Sequence, residues 1–418
     1  MTKLSSRPAE LASPGRKRKF KWGQATLGTL LLVSVVWLGL YLKSDAFRDL
    51  VRRKVIAQLE LVTGGKVEIQ SFSWKLSGLQ FEARGVTIHG MEASDQAPLI
   101  HADRIAGQAK IISFFRTEIG LRSLVIDHPV IHLIVYADGT TNQPMLRINK
   151  ADNSQVQRLF AMAIDRAEFN NAELLLNEKK LPFDFSGNHL SGGMSYSKAD
   201  KNYEGNFSID LVAAHYRNFE PVHGTLDLHF LLRPAQFELK ALKFTVDRSV
   251  LQASGTLTNF NHPEVHAQYS ASLDLKEAGR IARIPQLRAG QLEVSGSANY
   301  GKQLYETQGT LAAHNVEWRD SFWSAAGVDV ATPFLFTSDK IGLPRLVVRA
   351  FGGTAEGQVQ VVNWNARSST GKKAERGSGI LRLSKMQVGQ LASAISSSKA
   401  PLNKINLVGT VSGEVSST

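Results

Sequence analysis

The pattern of apolar and polar positions changes twice along the chain. From Gly23 to Leu42 (GQATLGTLLLVSVVWLGLYL) about twenty residues pass without a charge, enough at about 1.5 Å per residue to cross a hydrocarbon core of roughly 30 Å. Trp22 and Tyr41 stand near its ends, where amphipathic rings favour the headgroup zone. From Ser44 to Val62 the apolar residues Phe47, Leu50, Val51, Val55 and Leu59 recur at helical spacing. Ser44 suits an N-cap, Asp45 suits the positive end of the helix dipole, and Gly64-Gly65 ends the run. This amphipathic helix either lies at a membrane surface with its basic face on headgroups or plugs one end of the body that follows.

From Lys66 the period becomes two. Val67/Ile69 and Phe72/Trp74/Leu76 predict two strands, and Leu79/Phe81 and Val86/Ile88 predict more. Ile119–Asp127 and Val130–Tyr136 follow, closed by the turn pair Asp138-Gly139, and a helix is predicted over Gln155–Asp165. Sheet resumes at Ala172–Leu176 and Leu181–Phe185 around a turn at Asn177–Lys180. Beyond residue 220 the alternation is most regular: Leu226/Leu228/Phe230, Phe237/Leu239, Phe244/Val246, Val265 through Leu273 and Leu275, Leu292/Val294, Leu346/Val348 and Val359/Val361. Small residues recur as strand openings at Ser254-Gly255, Ser295-Gly296, Gln308-Gly309, Gly353-Thr354 and Val408-Gly409, at irregular separations that describe a degenerate repeat. Ala366–Gly379, rich in Ser, Gly, Lys and Arg, reads as a loop.

One-sided alternation means that one face meets water and the other something apolar, either a second sheet or a ligand. Roughly 25 strands at about 4.8 Å would extend a single sheet on the order of 120 Å, long enough to demand curling or splitting.

Charge sharpens this division. The net charge is +12 over 418 residues, but residues 1–54 hold 12 Lys/Arg against 3 Asp/Glu, leaving 37 against 34 in the remainder. The excess therefore flanks the apolar run, where anionic headgroups attract it, and this location argues against a nucleic-acid-binding body. Arg16, Lys17, Arg18, Lys19 and Lys21 immediately precede that run and place the N-terminus in the cytoplasm, although Lys43, Arg48, Arg52, Arg53 and Lys54 follow it. Its length, and the lack of a small-x-small cleavage site after Leu42, favour an uncleaved anchor over a signal peptide. With no cysteine, disulfides, thiolate metal sites and a Cys nucleophile are excluded.

Candidate chemistry is sparse. Gly296–Lys302 has P-loop spacing, but Gln303 stands where Ser or Thr would hold magnesium, and its context predicts a hairpin turn. His128 and His132 would pair on a helix, whereas the intervening Pro129, Val130 and Ile131 predict a strand that spreads them about 13 Å apart. Gly192-Gly193 and Gly352-Gly353 read as bulges or bends. No catalytic, cofactor or metal residue is assigned, and the reading is not an enzyme.

The order of these elements, with Leu61-Val62-Thr63-Gly64-Gly65, Val67-Glu68-Ile69, Phe72-x-Trp74, Gly85-Val86-Thr87-Ile88-His89-Gly90 and Leu124-Val125-Ile126-Asp127-His128-Pro129, resembles the start of AsmA-like proteins, the group that includes the AsmA and TamB families. Ser254–Phe260 with Pro263, and Ala271–Leu275, are similar to the recurring β units of that group. The resemblance implies a bacterial inner-membrane protein, single-pass, with its body in the periplasm. It further implies an elongated groove that supports phospholipid movement between inner and outer membranes, or outer-membrane biogenesis. The expected architecture is mainly β: a basic cytoplasmic tail (1–22), a transmembrane helix (23–42), an amphipathic helix (43–65) and an elongated, curved antiparallel β-groove (66–418). The chain stops within a strand pattern, so either it is part of a longer protein or a partner covers the edge. Candidate groove-lining residues are Leu226, Leu228, Phe230, Phe244, Val246, Leu273, Leu275, Leu292, Val294, Leu346, Val348, Val359 and Val361. The expected partners are membrane phospholipids and envelope assembly proteins. The alternative is a scaffold or assembly factor for outer-membrane proteins, with the same body but a filled interior.

Overall fold

A computed structural model describes residues 22–75, 77–110, 120–144, 160, 164–179, 182–260, 262–302, 304–364, 375–395 and 402–417. Two units divide the chain, residues 1–52 and 53–418. The first holds helix α1 (Trp22–Leu42) and the opening turns of α2 (Asp45–Thr63). Side chains of α1 are described from Leu30 onward, and Leu30–Leu40 expose mainly leucine and valine. Among the described residues no single helix is long and apolar enough to cross a membrane, while Leu30–Leu42 and Asp45–Leu61, bent by 59°, pass as a pair. The basic residues Arg16, Lys17, Arg18, Lys19 and Lys21 lie outside the described residues, as does the side chain of Trp22.

Capping sets both ends of α2. The Phe47 amide donates to Ser44 Oγ at 3.3 Å, the bond an N-cap serine makes. Gly64, at φ 75°, turns the chain out of the helix.

The second unit is one sheet. Its first strands are β1 (Lys66–Lys75), β2 (Gln80–His89), β3 (Ile100–Ala109), β4 (Leu121–Val135), β5 (Arg166–Glu178) and β6 (Phe183–Ser197). Then come β7 (Asn202–Tyr216), β8 (Val222–Arg233), β9 (Gln236–Val246), β10 (Ser249–Thr258), β11 (Glu264–Asp274) and β12 (Leu287–Gly301). The last are β13 (Leu304–Arg319), β14 (Ser324–Thr337), β15 (Lys340–Ala350), β16 (Gly353–Val362), β17 (Arg376–Gln387) and β18 (Thr410–Ser417). Each strand pairs with the next in sequence, from β1 on β2 to β17 on β18. Short helices α3 (Leu275–Ile281) and α4 (Val388–Ala394) follow β11 and β17.

Several expectations are corrected. The sheet is curved and mainly antiparallel, but β4 and β5 pair in parallel. It has 18 strands among the described residues, fewer than expected, because interrupted alternation marks bulges inside long strands. Val67/Ile69 and Phe72/Trp74 belong to the single strand β1, and the two runs around Pro129 belong to β4. Leu275 does not extend β11 but opens α3, where the Asp274 carboxylate accepts the Glu277 amide at 2.9 Å. The segment 366–379 is strand from Arg376 onward, and residues 365–374 lie outside the described ones. The helix over 155–165 also falls largely outside them. Gly255, Gly296 and Gly309 are strand interiors instead of openings, and Gly296 pairs directly with Gly309.

A matched slip explains the interrupted alternation in β1 and β2. Val67 and Ile69 pair with Ile88 and Val86, then Phe72 and Trp74 pair with Ala83 and Phe81. Between them Gly85 takes φ 58°, and a Cβ there would lie 2.3 Å from Gln70. Glycine takes this kink without strain, and the kink returns the apolar side chains of both strands to one face. The slip recurs in neighbouring strands, where His128 (φ 48°), Asn171 (φ 51°) and His189 (φ 56°) take the left-handed conformation.

On that face Val67, Ile69, Phe81, Ala83, Val86, Ile88, Ala102, Ile105, Leu121, Ile164 and Ala167 form a buried core, with Val55, Ile56 and Leu59 of α2 packed against it. The C-terminal half of α2 thus covers the start of the sheet, as a plugging helix would. Glu60 Oε1 also accepts the Val67 amide at 3.2 Å, tying the helix to β1.

Candidate functional site: the apolar face

The face that α2 covers at its start continues across the sheet. Phe169 pairs with Gly192, Gly192 with Phe207, Phe207 with Leu228 and Leu228 with Leu242. A parallel row runs through Ile209, Leu226, Phe244, Leu251, Ala271, Val294 and Leu311. Successive residues on one face lie two apart, so the alternation in each strand becomes a continuous apolar surface when registers align.

Of the predicted lining residues, Leu226 lies opposite Phe244 and Leu273 opposite Leu292. Val294 sits between Ala271 and Leu311. Farther along, Leu346 pairs with Gly357, Val348 with Ala355, Val359 with Leu343 and Val361 with Ile341. These nine predicted residues and Leu228 are half-buried. Phe230, Val246 and Leu275 are instead buried. Val246 ends β9, and Leu275, the first residue of α3, packs against Gly290, where a Cβ would be 2.9 Å from its Cδ1.

Aromatic rings partly fill the face. Phe169–Phe207, Phe207–Phe230 and Phe230–Phe237 have centroids 5.6, 5.9 and 5.3 Å apart, a chain of contacts from β5 to β9. The first crosses β6 at Gly192, and Phe230 lies over Gly205, so bare backbone makes room for the rings. A second cluster joins Tyr305, Phe336 and Trp364. Between the clusters, β10–β13 present small side chains, among them Ala253, Gly255, Ala267, Gly296 and Gly309.

Sequence reasoning missed Phe207, Leu242, Leu251, Leu311 and Leu343. Phe207 and Leu251 lie in strands whose polar spacing is broken by bulges or small residues, so register with a neighbour is the signal that reveals them.

The opposite face is polar and charged. Arg104 on β3 binds Asp127 on β4 at 2.6 Å and Glu82 on β2 at 3.1 Å. Asn170 and then Arg104 hold the Asp127 carboxyl below its usual range, and Arg84 with Arg104 does the same for Glu82. His128 bridges Asp103 (3.0 Å) and Glu173 (3.4 Å), which raise its pKa, while His132 Nε2 meets Asn177 Oδ1 at 2.7 Å. The two histidines thus have separate partners on one strand. A hollow of about 360 Å³ lined by Gln252, Ser270, Glu293, Ser295 and Thr310 also belongs to this face.

The remaining motifs are structural. Gly296–Lys302 ends β12 in a hairpin to β13, with Gly301 opposite Leu304 and Lys302 at φ 51°. Gly352, at φ 69°, turns β15 into β16. Among the described residues no group of three or more His, Asp or Glu is arranged to hold a metal ion.

Compared with models of known protein families the chain matches none, and no curated protein matches it.

Proposed function

We propose that the chain is an AsmA-like, membrane-anchored carrier of lipid, whose curved sheet forms a groove for acyl chains. The reading rests on one observation: an apolar face runs across paired strands from β7 to β16, and most of its leucines and valines are half-buried. Acyl chains need continuous apolar surface and few polar partners, and burial of such surface yields about 25 cal/mol per Å². In this reading α1 anchors the chain in the bacterial inner membrane, the basic tail stays cytoplasmic and the sheet stands in the periplasm. Phospholipid then travels along the face toward the outer membrane.

Mass spectrometry of the purified full chain tests this. Phospholipid is expected above a washed-membrane control, and photocrosslinkers at Leu228 and Leu273 are expected to yield lipid adducts. Well-folded protein that carries no lipid and yields only protein adducts would replace the reading with that of an assembly factor.

A further inference from the structure

We propose that the rim formed by α3, the loop after it and the β13–β14 turn is a docking surface for a lipid bilayer bearing anionic headgroups. This goes beyond acyl-chain carriage, because it requires no lipid on the sheet face.

The β13–β14 turn displays aromatic side chains to solvent. Phe322 is 81% exposed and Trp323 42% exposed. The turn is nonetheless ordered by one carboxylate. Asp320 accepts the amides of Phe322 (2.7 Å) and Trp323 (2.9 Å) and the Trp318 indole N–H (3.0 Å). Those three donors hold its pKa below the usual carboxylate range, and Trp318 stacks on Trp323 at 5.9 Å. Phe322 is thus presented outward on a fixed support.

The neighbouring loop belongs to the same surface. The Arg319 amide donates to Gln286 O at 2.8 Å, and Trp318 pairs with Leu287. Ile284, 38% exposed, projects beside Pro285. Of the cations within residues 276–288 and 319–323, Arg280 pairs with Glu220 at 2.9 Å and Arg319 with Glu317 at 3.6 Å, which leaves Lys276, Arg283 and Arg288 against Glu277 and Asp320. Asp320 is engaged as above, and Glu277 Oε2 accepts from Ser249 at 2.6 Å. A cavity of about 780 Å³ opens here, its wall shared by the cations Arg248, Lys276, Arg280 and Arg288 and the acids Asp247, Asp274 and Glu277.

Exposed aromatic and aliphatic tips ringed by cations fit one partner better than others. Aromatic rings favour the interfacial zone, and each cation near an anionic surface adds attraction. A protein partner would be expected to meet a wider apolar patch than this narrow tip. Strand direction places this turn at the rim where β1 begins, since each antiparallel step reverses direction and the β4–β5 step preserves it.

Because the chain lacks cysteine, Ser321→Cys can carry a single environment-sensitive fluorophore while Phe322 and Trp323 stay in place. The labelled full chain is mixed with phosphatidylcholine vesicles, with and without phosphatidylglycerol, containing spin-labelled lipid as quencher. Emission at position 321 is expected to fall by about half or more with the anionic vesicles only, while a label at Gln268→Cys on the polar face stays bright. Arg283→Glu with Arg288→Glu is expected to abolish the quenching, with the β signal in circular dichroism unchanged. A label at Ser324→Cys repeats the measurement if the first variant folds poorly. Unquenched label in both vesicle types, equal quenching in both, or shielding by a second copy before vesicles are added would each overturn the proposal. None of these outcomes alters the lipid content measured by mass spectrometry, so the two readings fail separately.

Discussion

Val86 on β2 and Phe244 on β9 occupy the same face of the same sheet, in strands with the same apolar alternation, yet Val86 is 1% exposed and Phe244 half-buried. The difference is the cover. Val55, Ile56 and Leu59 of α2 pack over the first strands and turn that stretch into a core, whereas the corresponding rows from β8 to β12 meet chiefly their own cross-strand neighbours. Alternation therefore specifies a face, and a separate element decides whether that face becomes core or surface. The rows left open are the ones assigned here to acyl chains.

Substitutions in the two stretches should separate them. Val86→Asp places a carboxylate in the covered core, where an unpaired charge costs several kcal/mol, and it should abolish the cooperative thermal transition. Leu228→Asp should leave a folded chain by circular dichroism while removing most of the copurified lipid; if it unfolds the protein as Val86→Asp does, the open face is a core after all. Phe81→Ala should lose about 3–5 kcal/mol in urea unfolding and Phe244→Ala only about 1–2 kcal/mol, because the second ring is only partly removed from water. Equal losses would erase the distinction. Gly85→Ala should cost about 1–3 kcal/mol through its positive φ and the crowding of Gln70.

The smallest expected effect is a pH dependence on the polar side of the covered stretch. Asp103 of β3 and Glu173 of β5 flank His128 and raise its pKa, and His101 also lies 3.7 Å from Asp103. A raised folded pKa gives stability that is complete below about pH 6.5 and lost as pH rises through the raised value. His128→Gln should therefore cost more at pH 5.5 than at pH 8.5. The difference should stay within about 1 kcal/mol, because the partly exposed pair is screened by solvent. Denaturation at the two pH values measures it, and the opposite sign would remove the bridge as a stabilising contact.

Much of this was legible in the residues. Ser44 and Gly64-Gly65 marked the ends of α2, and most strands followed from period-two runs bounded by turn residues. Strand continuity was hidden where a bulge shifts the phase, as at Gly85 and His128, because a local pattern cannot distinguish a slip shared by two strands from two strand ends. Leu275 was misplaced for a related reason. Its apolar side chain continues the β11 alternation, while the Asp274 cap that bends the chain into α3 acts through a single hydrogen bond. The site was legible as a set of apolar positions but not as an exposed surface, since exposure depends on what α2 covers and on glycines, such as Gly192, that let distant rings meet.

The pairing of each strand with its sequence neighbour also governs how the molecule is made. Contacts are short in chain separation, so little loop entropy must be overcome at each addition, and a new hairpin can dock on the edge left by the one before it. Such a sheet can grow in the direction of its own synthesis, with stability distributed as a sum of adjoining interfaces, in the manner of repeat proteins. The β4–β5 step is the exception: its parallel geometry requires the chain from Tyr136 to Asp165 to carry β5 back before pairing begins. That return divides the series, with four strands and their helical cover before it and thirteen successive antiparallel pairings after it.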